Sequence, residues 1–388
     1  MNKLGIYIHW PYCISKCPYC DFNSHKLKDY DPNEWLTAYK NQIKYFKDCL
    51  KFQNLKSLKL SSIFIGGGTP SLMPAKLVEQ ILSFINKLFD FDNDIEITLE
   101  SNPTNLELNK ISDFKSAGIN RVSLGVQGLN DKDLKFLGRL HNISDTFKIL
   151  DSMQKKIDNI SVDLIYALSC QNLETWNSEL HNFLKRFSIK HLSAYQLIIE
   201  KGTKFYDLFN KGELKTVSDS LYKEFYFNTK NILKENKFDQ YEISNFSKPN
   251  FFSKHNTIYW KSDNWVGIGP GAISRIWNNK KERIEFENYK KPETWLKNCL
   301  DKKITLKKIF KIDFEIKEQE ILMMGLRLNK GLDLNKLQHK KFLNNDEIIQ
   351  LQRQRIIYIN KNNLRINEKY FNVHDYIVRK IIDNYVSS

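Results

Sequence analysis

Three of the chain's six cysteines fall within eight residues, in the run Cys13-Ile14-Ser15-Lys16-Cys17-Pro18-Tyr19-Cys20. Three residues separate the first pair and two the second, a spacing that lets one loop offer three thiolates to a metal centre. Random placement of six cysteines gives such a triplet in about one of seven hundred sequences of this length. Two centres compete for it. A [4Fe–4S] cluster held by three thiolates keeps one iron open for a ligand. A structural zinc site wants a fourth protein ligand, and His9 and His25 stand nearest in sequence. Cys49, Cys170 and Cys299 are isolated; in a reducing compartment they read as small buried hydrophobes rather than disulfide partners.

The surrounding elements favour iron and sulfur. Short apolar runs at Gly5–His9, Ser61–Ile65, Ile95–Leu99, Arg121–Gly125, Ile160–Ile165 and His191–Leu197 each precede a helical pattern. Six such units predict an α/β fold, a partial, three-quarter parallel β/α barrel. Asp31 and Pro32 with Glu34 read as a helix start, and a helix over Asn105–Ala117 ends at Gly118. The cysteines follow the first strand, which puts them at the barrel's C-terminal mouth, where parallel sheets bind ligands. The second strand runs into Gly66-Gly67-Gly68-Thr69-Pro70, a bare backbone whose N–H groups are expected to face a ligand. The barrel core is assigned to 1–235 and a connecting region to 236–304. A smaller C-terminal α+β or helical, winged-helix-like domain is assigned to 305–388. Its helices are read at Lys317–Arg327, Asn335–Gln338 and Asp346–Ile359, and its strands at Leu364–Ile366 and Tyr370–Asn372.

Taken with the cysteine run, Tyr7-Ile8-His9-Trp10-Pro11-Tyr12, Cys20-Asp21-Phe22 and the Gly66–Pro70 loop resemble the radical S-adenosylmethionine enzymes. Within them the chain is similar to the anaerobic coproporphyrinogen oxidase group, and more so to its relatives, the HemW-type haem chaperones. Glu100-Ser101-Asn102-Pro103, Arg121–Gln127, Gly138–His141, Tyr241–Phe246 and Gly267–Ala272 carry the likeness along the chain. The resemblance implies that Cys13, Cys17 and Cys20 hold a [4Fe–4S] cluster whose open iron chelates S-adenosylmethionine. It places Gly67, Gly68, Thr69 and Glu100 on that cofactor, Gln127, Arg139 and Asp163 around it, and Tyr7 against it. Read without the resemblance, the alternatives are Arg139 as an ion-pair partner and Asp163 as a helix cap.

Two departures point away from the oxidases. Phe22 stands where they carry a further cysteine, and only twelve residues precede Cys13. The run His255-Asn256-Thr257-Ile258-Tyr259-Trp260 matches the chaperones' HNxxYW signature, which implies His255 as an axial haem ligand; a loop histidine satisfied by the backbone, with Tyr259 and Trp260 in the core, is the alternative. The function implied is binding haem and passing it to an acceptor protein, with a flavodoxin or ferredoxin as electron donor. The rival is oxygen-independent coproporphyrinogen III oxidation in porphyrin biosynthesis. No catalytic residue is assigned, and oxidase activity is not expected.

Composition narrows the classes. The chain has 388 residues, 41% of them hydrophobic, and a net charge of +15. Its lysines are scattered, which reads as a solvated surface rather than a nucleic-acid footprint. No eighteen-residue apolar run occurs, and the first residues lack the form of a signal peptide. A cytoplasmic protein with at most peripheral membrane contact is expected.

Overall fold

In the computed structural model, which describes residues 3–52, 58–104, 110–302 and 306–387, every one of the six apolar runs is a strand. They are β1 (Lys3–Trp10), β2 (Lys59–Gly67), β3 (Phe91–Ser101), β4 (Arg121–Gln127), β5 (Asn159–Tyr166) and β6 (His191–Gln196). They pair in parallel, in chain order. β1 and β4 are buried on both faces, as a helix-covered parallel sheet requires.

The helices between them bury one stripe each. Ala75–Leu88 turns Leu77, Val78, Ile81, Leu82 and Ile85 inward, at helical spacing. Asp31 caps Pro32–Phe52 by accepting the Asn33 N–H at 2.8 Å. Gly118, at φ +109°, follows the helix Ile111–Ser116; residues 105–109 of that predicted helix lie outside the described residues.

The sheet continues past the six units. Asn264–Ile268 adds to β1 in parallel, and Ile273–Trp277, Arg283–Asn288 and Leu306–Lys311 follow antiparallel. On the far side Asn245–Ser247 pairs with β6, and Asp239–Gln240 closes that edge. Among the described residues the sheet has twelve strands in linear order and its two outermost strands do not pair, so it is open. Residues 236–304 thus supply strands on both sides of the six, the outermost strand Leu306–Lys311 belongs to the part assigned to the C-terminal domain, and the expected boundary at 304 lies outside the described residues.

In the C-terminal part, the helices Phe314–Gly325, Asp346–Arg353 and His374–Val386 accompany a three-stranded antiparallel sheet. Three expectations fail here. The helix from Asp346 stops at Arg353, and Ile357–Asn360 is a strand, separated from it by Arg355 at φ +57°. Tyr370–Asn372 lies in a 3₁₀ segment, Glu368–Val373, started by the Asn367 side chain accepting the Lys369 N–H. Asn335–Gln338 shrinks to the single turn Leu334–Lys336.

Candidate metal and cofactor site

Parallel strands end at one rim, and the cysteine loop leaves the end of β1 there. A two-residue parallel ladder, Tyr12–Cys13 against His25–Lys26, closes the loop. Inside it the Cys20 N–H donates to the Cys17 carbonyl at 3.2 Å. Loop and strand ends enclose a cavity of about 540 Å³, within the range of small-molecule sites. Cys13, Cys17 and Cys20 are half-buried on its wall. Burial raises the Cys13 and Cys20 thiols above the ordinary cysteine range, so metal binding there releases protons.

His9 is not available as a fourth ligand. Its Nδ1 faces the Tyr7 hydroxyl at 2.9 Å and its Nε2 donates to the Asn23 carbonyl at 2.9 Å. Burial lowers its pKa to about 4, so the ring is neutral. His25 Nε2 lies 3.3 Å from Asn23 Oδ1. Among the described residues no three His, Cys, Asp or Glu side chains close on an ion-sized point. Three soft thiol donors on one loop facing a cavity fit three corners of a cluster.

The glycine run acts differently from expectation. Its N–H groups point into the protein: Gly67 to Glu100 Oε2 at 3.0 Å, Gly68 to the Trp10 carbonyl at 2.7 Å, Thr69 to the Tyr12 carbonyl at 2.8 Å. None of the three is left over for a ligand. The glycines serve close approach instead. A Cβ on Gly68 would sit 2.5 Å from the Tyr12 carbonyl oxygen, and one on Gly67, at φ +116°, 2.6 Å from the His9 ring. The run therefore seats the cysteine loop on the end of β2.

Glu100, at the end of β3, also lines the cavity. Burial first, and the charge of Asp163 second, push its pKa up to about 8. Asp163 is itself raised by burial, although Ser123 Oγ donates to it at 3.0 Å. Gln127 ends β4 at φ +68°, an uncommon backbone state for a non-glycine residue and one that clusters at functional sites. Its amide folds back over Gly125. Arg139 stands between Gly125 and the cysteine loop, donating to the Gly125 carbonyl, Asn102 and Cys17.

Gly67, Gly68, Thr69, Glu100, Gln127, Arg139 and Asp163 thus share one cavity with the three cysteines. Tyr7 and His255 are not on its wall. Tyr7 stands behind Gly66, hydrogen-bonded to His9. His255 lies on the helix Lys254–Trp260, 1% exposed, stacked on Phe64. Its Nδ1 is 2.8 Å from Ser62 Oγ and its Nε2 2.7 Å from the Tyr259 hydroxyl, and burial lowers its pKa to about 3. To ligate iron, this ring has to give up Ser62 or Tyr259.

Three wall residues were not assigned from the sequence. Asn102, just past the end of β3, donates to Thr69 Oγ1 at 3.1 Å and accepts from Arg139. Its signal is a short polar residue two positions after Glu100. Arg121 is 2% exposed at the first position of β4 and lies 3.8 Å from Glu96; a charge opening a buried strand is the hint. Asn256, the neighbour of His255, is the member of the HNxxYW run that reaches the cavity.

A mostly parallel sheet with three cysteines on the first loop at its mouth, facing a buried carboxylate, agrees with the resemblance to radical S-adenosylmethionine proteins. The sequence profile of the Radical SAM superfamily matches residues 7–181. The haem chaperone HemW of Lactococcus lactis is 30% identical over 382 residues, covering 97% of this chain and 96% of that protein. HemW of Haemophilus influenzae is 35% identical, covering 76% of each. The mitochondrial radical S-adenosyl methionine domain-containing protein 1 of Dictyostelium discoideum is 33% identical, covering 98% of this chain and 94% of that one. Coproporphyrinogen III oxidase (HemN) from Escherichia coli shares the fold, with a TM-score of 0.76, 17% identity and coverage of 99% and 90%. The chain belongs to the HemW family of the radical S-adenosylmethionine superfamily. That membership implies a [4Fe–4S] cluster and S-adenosylmethionine.

Proposed function

We propose that this protein binds haem and passes it to an acceptor protein, on a scaffold that carries a cluster on Cys13, Cys17 and Cys20. Kinship with haem chaperones along nearly the whole chain carries the reading. The mouth of the cavity supports it. Phe22 is 57% exposed, Ile198 64% and Leu140 67%, and with Ile14 and Tyr195 they surround the opening. A collar of exposed apolar side chains around a cavity suits a broad, flat, apolar ligand. Haem is such a ligand.

A cluster held on Cys13, Cys17 and Cys20 would supply an electron to S-adenosylmethionine. The chain's own groups do the rest. Glu100, which accepts the Gly67 N–H, would take the cofactor's amino group or a ribose hydroxyl; Gln127, Arg139 and Asp163 would frame it; Tyr7 and His9 brace the loop from behind. Electrons come from a small reducing protein such as a flavodoxin or ferredoxin. His255 could ligate haem iron only if Ser62 or Tyr259 released its ring, a cost that a haem on the apolar collar does not carry.

Anaerobically purified protein is expected to hold about four irons per chain and to take up about one haem. It is expected to leave coproporphyrinogen III unchanged in the presence of S-adenosylmethionine and a reductant, with products read by mass spectrometry. Turnover to protoporphyrinogen would establish the oxidase instead. A Soret band unaltered in His255→Ala removes that residue as ligand and leaves the chaperone reading in place.

A further inference from the structure

Arg139 lies in the loop after the helix Asp131–Phe136 and reaches across the cavity wall to the cysteine loop. Its Nη1 donates to Cys17 Sγ at 3.4 Å. Its Nη2 donates to Asn102 Oδ1 at 2.6 Å and to the Gly125 carbonyl at 3.0 Å. Asn102 is fixed in turn by donating to Thr69 at 3.1 Å. The guanidinium is therefore clamped against the sulfur by two strand ends before any ligand arrives.

Cluster sulfurs gain negative charge when the cluster accepts an electron, and hydrogen bonds to them are one of the levers that set its potential. A fixed cation that donates to one of these sulfurs stabilises the reduced state more than the oxidised state. In a half-buried site that preference is little screened. We propose that Arg139 tunes the cluster's reduction potential upward through its hydrogen bond to the Cys17 sulfur, separately from any part it has in holding S-adenosylmethionine. The proposal rests on the cluster portion of the function proposed above and is independent of haem.

The test is a potentiometric titration of the reconstituted full-length protein, followed by electron paramagnetic resonance, without S-adenosylmethionine. Arg139→Leu is expected to keep four irons. Its midpoint should fall by a tenfold change in the one-electron constant, about 59 mV. Arg139→Lys, which keeps the charge and loses the fork, should recover most of the shift. A residue that serves only the cofactor leaves this cofactor-free midpoint where it was. A loaded Arg139→Leu with the wild-type midpoint therefore overturns the proposal. Should that variant fail to load, Arg139→Gln decides by the same criterion. A wild-type protein without a four-iron cluster is a different result, and it overturns the cluster reading itself.

Discussion

Glu100 keeps its proton to about pH 8 because burial and the nearby Asp163 disfavour its charge. The permanent positive charge of the S-adenosylmethionine sulfonium placed near it favours the carboxylate, so cofactor binding below that pH expels a proton. The affinity for S-adenosylmethionine should then rise about tenfold per pH unit up to about pH 8 and level off above it. Calorimetry in buffers of different ionisation heat reads the released proton directly. A flat profile, or an undiminished slope in Glu100→Gln, would remove Glu100 from the cofactor. The raised value has a second consequence. The folded state holds a proton that the unfolded chain has already lost, so the ligand-free fold loses stability as pH rises from the ordinary carboxyl range towards 8. At this scale much of the site was legible: cysteine spacing and a carboxylate at a strand end are visible as letters. The direction of a backbone N–H is not. The Gly67–Thr69 donors turn inward because the cysteine loop crosses back over β2, a tertiary fact. His255 reads the same as a ligand or as a packed ring until Ser62 is seen beside it.

Among the elements, the helix Lys254–Trp260 depends on a partner far away in sequence. Glu96 of β3 accepts the N–H groups of Lys254 and His255, each at 3.1 Å, and lies 3.8 Å from Arg121. Both charged side chains are almost wholly buried, so removing one strands the other. Glu96→Gln should lower stability by about 3 kcal/mol, seen as a fall in Tm. Glu96→Gln with Arg121→Met should regain much of the loss, because no lone charge remains. A double variant as unstable as the sum of the two singles would show that the pair itself contributes nothing. The six strands were legible because short, strand-length apolar runs alternate with helical patterns, and that βα alternation, rather than the period of each run, identifies them. The 354–373 stretch was not. There a left-handed Arg355 and an Asn367 cap decide the elements, and each depends on one residue rather than a repeating pattern.

The whole molecule joins one cavity to the rest of the fold through the HNxxYW run. Asn256 faces the cavity and His255 packs on β2, while Trp260 lies under the Arg327 guanidinium, 4.5 Å from ring centroid to carbon. Arg327 pairs with the fully buried Glu242 at 3.1 Å. Ile14, Phe22, Leu140, Tyr195 and Ile198 are the cavity-lining apolar side chains that are also exposed to solvent, the collar proposed for haem. This arrangement distinguishes two places for haem. Seated on the collar, haem covers the way by which S-adenosylmethionine enters and leaves. Seated at His255, it has to break that ring's hydrogen bond to Ser62 or Tyr259 and leaves the mouth open. The collar is the position expected, since it needs no hydrogen bond broken. Haem loading should therefore slow the dissociation of S-adenosylmethionine in a stopped-flow chase. Leu140→Asp or Ile198→Asp should lose both haem affinity and the slow release, with iron content unchanged, because each puts a charge where an apolar ring would lie. His255→Ala should alter neither. Cofactor release that is equally fast with and without haem would place haem away from the mouth and return the HNxxYW helix as its seat.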